Sequence, residues 1–279
     1  MNPPPLSFFT TYGWDVASTQ VSYYFLSYSY IGATVLAIAF GTFLFAKTRK
    51  LPSFYLFLLC LFFAIFSLLD FITWFPNSVW VMSTWSIVDL FAIAFFVLSY
   101  WFLYSFIKDH DLPMWQKILT GSALIPTLLI TVMSVNIDAF YIPTGIALDN
   151  ANVTNYHSLL ELLFILLVIV FTVVEYKKAL DPVNKKKIAL AGVGVLAFLF
   201  TFFFAYAIIG LVIATNLWGL AATSYIYNVA PYAIMGMPIL LAFLGYLIAK
   251  YQAFDVRLIK SIVYMVALMI ILFVGLFFA

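Results

Sequence analysis

The chain has 279 residues, of which 66% are hydrophobic, 20% aromatic and only 9% charged, with a formal net charge of +2. A soluble domain carries about a quarter charged residues and has no single core large enough to hide this much apolar surface. The composition therefore selects a polytopic membrane protein, and the near-neutral balance without a basic aromatic groove gives no support for a nucleic-acid partner.

The first residues, "MNPPPLSFFTTYGWD", hold no Lys or Arg ahead of the first apolar run, unlike the basic start of a cleaved signal peptide. A helix needs about 20 apolar residues to cross the hydrocarbon layer. Runs of that length lie at 24–46, 53–75, 80–107, 115–135, 157–178, 187–214, 228–250 and 261–279. The expected fold is thus an all-α membrane helix bundle. Residues 1–23 form an extracytoplasmic N-terminal segment and 24–250 a seven-helix bundle. Residues 251–260 form a cytoplasmic interfacial connection, and 261–279 an eighth helix cut short where the chain ends. Cys60 lies inside the second run, so no internal disulfide is available and a small core hydrophobe is expected. Pro126, Pro231 and Pro238 fall inside runs, where a kink is tolerated if neighbours satisfy the freed carbonyls. The two glycines of "GVGV" at 192–195 lie within a helix and lack a phosphate-loop pattern, so they are expected to let helices approach closely.

All thirteen Lys and Arg cluster at 47–50, 108–117, 177–187 and 250–260, which are alternate connections between runs. The positive-inside rule places these four connections in the cytoplasm and the N-terminus outside. A wrong span count would scatter the basic residues over both sides. The outer connection 136–156 is long and carries acids and asparagines but no basic residue.

No metalloprotease, thiol-redox, nucleophile-elbow or phosphate-loop motif is present, so no catalytic residue, catalytic domain or cofactor is expected in this chain. What remains are ionisable groups inside the membrane, which are costly and therefore informative. Asp70 lies near the outer end of the second run, Asp89 in the outer part of the third, and His157 and Glu161 share one face near the start of the fifth. Trp74 and Trp85 stand one turn from Asp70 and Asp89 and can wall a pocket. The functional reading is an outward pocket for a small cationic ligand, a metal ion or protons. His157 and Glu161 alone do not make a metal site. The competing reading is that the acids are neutral or hydrogen-bonded helix glue, and that His157 and Glu161 mark the watery start of the fifth span.

The stretch "YQAFDVRLIKSIVY" at 251–264 puts Asp255, Arg257 and Lys260 between two apolar runs, as a cytoplasmic interfacial turn would. It resembles the close of the N-terminal seven-transmembrane sensor region of bacterial membrane histidine kinases, an aromatic-rich "Y-x-L-F-D-I-R-L-I" signature followed by an "LVY" helix start. The matching residues are Tyr251, Phe254, Asp255, Val256, Arg257, Leu258, Ile259, Val263 and Tyr264. Upstream, "YKKALDPVNKKKIALAGVGVLAFL" is similar to that family's basic linker, and Pro231 and Pro238 to its proline-bearing seventh helix. Over the first four spans the resemblance is one of pattern. It implies a sensory module of a two-component system that senses an extracytoplasmic or membrane-borne ligand. Helices 7 and 8 would relay the signal, with Pro231 and Pro238 as pivots and Asp255 and Arg257 in the coupling. It also implies a homodimer or signalling partner. Family members continue into a cytoplasmic output region, often a kinase, whereas this chain stops at Ala279. The expectation is a sensor piece of a longer product or a stand-alone relative. The alternatives are a transporter or channel, and a structural subunit of a larger membrane complex.

Overall fold

The computed structural model describes residues 20–73, 79–141, 146–204 and 230–251. Five helices in this set are long and apolar enough to cross a membrane, which makes the chain a mostly helical, multi-pass membrane protein. The first three spans follow the hydrophobic runs closely, as α1 (Gln20–Thr48), α2 (Leu51–Thr73) and α3 (Val79–Lys108).

The fourth run, expected as one span over 115–135, is two shorter helices, α4 (Met114–Gly121) and α5 (Leu124–Val132). Pro126 explains the break. It has no N–H to offer the Ser122 carbonyl four residues back, and its ring crowds that oxygen. The Ser122 carbonyl instead accepts a tighter bond from the Ile125 N–H at 3.1 Å. A proline in the first turn of α5 then costs little, because that N–H has no intrahelical partner anyway.

The connection after α5 departs from the all-α expectation. It holds an antiparallel hairpin, β1 (Ile137–Tyr141) and β2 (Ile146–Asp149), with an irregularity between Ile137 and Ala139. Two asparagines bracket it. Asn136 precedes β1, and its carbonyl accepts the Asn150 N–H at 2.8 Å. Asn150 follows β2, and its side-chain oxygen accepts the Asn152 and Val153 N–H groups as the N-cap of α6 (Ala151–Lys178). The fifth span therefore starts at Ala151 rather than 157. Likewise α7 (Pro182–Phe203) starts with Asp181 as N-cap and Pro182 in the first turn, ahead of the expected 187. The last described segment is a 3-10 helix, Ala230–Met235, running into α8 (Gly236–Tyr251). Pro238 cannot donate to the Ile234 carbonyl, which is where the tighter winding gives way to α-helix. The eighth expected span and the 251–264 connection beyond Tyr251 lie outside the described residues.

The long helices close into a ring: α1 on α2, α2 on α3, α3 on α6, α6 on α7, α7 on α8, and α8 back on α1. Phe63 and Phe66 of α2, Phe95 of α3, and Phe198 and Phe202 of α7 fill its centre, with ring centroids 4.8–6.0 Å apart. Edge-on and tilted pairs of this kind are worth about 0.5–1.5 kcal/mol each beyond their area. Close approach is set by glycines. A Cβ on Gly41 would stand 2.9 Å from Cys60 Cβ, and one on Gly194 2.8 Å from Phe243 Cβ; one on Gly192 would collide with Thr172. The "GVGV" glycines thus serve α6–α7 and α7–α8 contact, as expected, and Cys60 is buried. Along α6, Leu159, Leu162, Leu163, Leu166, Val170 and Val173 point outward, where only hydrocarbon suits them.

Alternate connections meet at one end. Tyr55 at the start of α2 donates to Asp111 beyond α3 (2.7 Å), and Lys117 of α4 pairs with the same carboxylate. Lys108 at the end of α3 pairs with Glu175 near the end of α6 at 2.7 Å, joined by Lys178 at 3.3 Å. This basic end lies opposite the hairpin.

Candidate functional site

The site grows from the inward stripe of α6. Val153, His157, Glu161, Phe164, Ile165, Val168 and Glu175 recur at helical spacing and are buried. Two of the seven, His157 and Glu161, are ionisable groups in the half of the helix nearer the hairpin. Glu161 lies about 26 Å along the axis from Lys178 at ~1.5 Å per residue. They are 8% and 7% exposed, so the reading of a watery helix start does not hold. The helix begins earlier, and both side chains sit deeper than the apolar run alone implies.

Across from them, α3 presents Asp89. His157 Nδ1 lies 3.5 Å from Asp89 Oδ2. Asn136 donates its Nδ2 to the same oxygen at 3.3 Å and to the Ser86 carbonyl at 3.1 Å. Ser86, one turn before Asp89, donates to the Thr131 carbonyl at 3.0 Å and shares a 3.3 Å contact with the Ser134 hydroxyl. The Asp89 carboxylate, 37% exposed, is thus held by a histidine from α6 and an asparagine at the root of the hairpin.

Three buried atoms around this cluster have no hydrogen-bond partner: His157 Nε2, Glu161 Oε2 and Thr131 Oγ1. Buried polar atoms are nearly always bonded, and an orphan costs about 1–3 kcal/mol. Two orphans on ionisable groups, beside a third ionisable group, mark a place built to receive something. Among the described residues no three His, Cys, Asp or Glu side chains are grouped to hold a metal ion.

Asp70 is placed differently. Tyr30 of α1 donates to Asp70 Oδ2 at 2.5 Å, while Thr34 donates to Ser67 one turn along at 2.9 Å. Asp70 so takes part in the polar α1–α2 contact at the hairpin end, of the kind that joins helices in membranes. Trp74 lies outside the described residues, as does the side chain of Trp85. Pro231 and Pro238 flank the 3-10 to α transition, and Asp255 and Arg257 lie outside the described residues.

Sequence reasoning missed Asn136, Ser86, Thr131 and Tyr30. Ser86 was findable, since it stands three residues before Asp89 on one helix face. Asn136, Thr131 and Tyr30 reach the acids only through tertiary packing. No family model, curated protein or solved structure matches this chain.

Proposed function

We propose that this chain is the membrane sensory module of a histidine-kinase-type signalling protein, with its N-terminus and hairpin extracytoplasmic and its basic end in the cytoplasm. The cluster Asp89–His157–Glu161 is its ligand site, for a cationic ligand or protons. The observation that carries this is the pair of unpartnered buried atoms, His157 Nε2 and Glu161 Oε2, beside Asp89. Intramembrane ionisable groups left open in this way are functional sites by default.

Two features support sensing over passage. The phenylalanine cluster packs the ring's centre, leaving the polar cluster to one half of the α3–α6 contact. The hairpin is tied to the site through both roots: Asn136 holds Asp89, and Asn150 caps the helix that carries His157 and Glu161. A change of occupancy would shift α3 against α6 and pass through α7 to α8, where Pro231 and Pro238 interrupt the winding. A useful shift needs the ligand to favour one arrangement by a few kcal/mol.

Reconstituted liposomes separate the readings. A sensor leaves them tight to protons and small cations. Flux through the parent chain that Asp89→Asn blocks would replace sensing by transport. In source membranes, an antibody to 136–156 should detect a product well above 31.6 kDa if the module belongs to a longer signalling protein. A product of 31.6 kDa would direct the search to separate partners.

A further inference from the structure

We propose that Asp89, His157 and Glu161 form a proton-binding site that clasps α3 to α6, so that the ligand is the proton itself rather than a metal or an organic cation. This deepens the sensory reading and rests on it only for its consequence, since proton binding is measurable whether or not the chain signals.

Charge counting carries the argument. With two protons on the three groups the cluster is neutral, as an imidazolium paired with the Asp89 carboxylate beside an uncharged Glu161. Each proton released leaves one negative charge on a face of α6 whose neighbouring buried residues, Phe164 and Ile165, are apolar. An uncompensated charge that is shut off from water is strongly disfavoured. No Lys or Arg among the described residues pairs with the cluster; Lys108, Lys178 and Lys117 pair with Glu175 and Asp111 at the basic end.

The groups facing α6 are few. From α3 come Asp89 in this half, Tyr100 and Tyr104 against Phe171, and Lys108 at the basic end, the last paired with Glu175. From α7, among the described residues, come only Lys185, Lys186 and Lys187 in its first turns, also at the basic end. From the hairpin comes Asp138, exposed and hydrogen-bonded by Asn150 Nδ2 at 2.7 Å. On α6 itself, the Tyr156 ring lies 5.4 Å from the His157 ring. A proton is the one cation that needs no cavity and no third ligand. It fits two orphaned polar atoms with no metal-type grouping around them.

The site also has leverage. The α3–α6 contact is bracketed by ion pairs, Lys108–Glu175 at the basic end and Asp89–His157 at the other, with Tyr100 and Tyr104 against Phe171 between them. Only the outer bracket includes a histidine, the side chain whose charge changes near physiological pH.

The test uses the full chain in lipid nanodiscs, labelled with 15N-histidine. There are two histidines, so His110→Gln, in an exposed connection, leaves His157 as the sole imidazole signal. Scanned between about pH 4 and pH 9, the His157 signal should respond to pH, and the response should move in Asp89→Asn and in Glu161→Gln. An imidazole that does not titrate there, or titrates identically in all three chains, overturns the proposal. A coupled titration without any accompanying movement of α8 keeps the proton site and removes the sensory reading.

Discussion

Gly41 and Gly32 stand on the same helix in opposite circumstances. A methyl on Gly41 meets Cys60 at 2.9 Å, whereas one on Gly32 meets nothing within 4 Å. Gly41→Ala should therefore destabilise the bundle by about 1–3 kcal/mol through overpacking. Gly32→Ala should be neutral or stabilising by up to about 1 kcal/mol. Thermal unfolding in detergent checks both, and equal effects would contradict the α1–α2 packing. Asp111 makes a pH prediction. Partial burial pushes its carboxyl up, but bonds from Lys117, Tyr55 and the Leu112 N–H outweigh that and hold it below 3.8. A carboxyl lowered by folding adds stability that is present above its ordinary value and is lost as pH falls through the lowered one. The parent should thus unfold at a higher temperature than Asp111→Asn near neutrality, with the gap closing as pH falls below 3.8. A gap that persists in acid would mean the clasp does not depend on the carboxylate. The screened position of this pair, with Asp111 44% exposed, keeps the effect small.

At the scale of elements, Pro126 is what divides the fourth apolar run. Pro126→Ala restores an N–H to the Ser122 carbonyl and should fuse α4 with α5 into one helix. The new amide at 126 should then be protected from hydrogen exchange. Fast exchange there would show that the break has another cause. Much of this level was legible in the sequence. Hydrophobic runs placed α1, α2 and α3 well because length and apolarity alone decide a membrane helix. They placed the starts of α6 and α7 late, because those first turns are polar: "ANVTNY" and "PVNKKK" extend each helix beyond its apolar part. The caps Asn150 and Asp181-Pro182 carry that information, and hydropathy does not weigh them. The hairpin was not legible, since its strands are short and its turn falls in a connection without strong alternation. Of the candidate site, Asp89, His157 and Glu161 could be nominated from charge in an apolar setting. That Asp70 belongs instead to Tyr30 depends on the packing of α1, which no periodicity reports.

The whole molecule is one bundle with two unlike ends. The basic end is closed by paired charges: Asp111 with Lys117, and Glu175 with Lys108 and Lys178. The hairpin end keeps buried ionisable groups with open valences, His157 Nε2 and Glu161 Oε2. That difference supports the proposed site over a purely structural role, because orphaned polar atoms weaken a fold. Under the proposed function, occupancy would shift α6 and carry that shift around the ring to α8.

The most direct measurement is a pair of spin labels on Leu166 of α6 and Tyr246 of α8, both exposed, in a chain with Cys60 replaced by alanine and held in nanodiscs. The α6–α8 distance distribution should redistribute between about pH 8 and about pH 5, and Asp89→Asn should freeze it. A parent chain whose distribution is the same at both pH values would contradict the claim that this cluster drives the bundle.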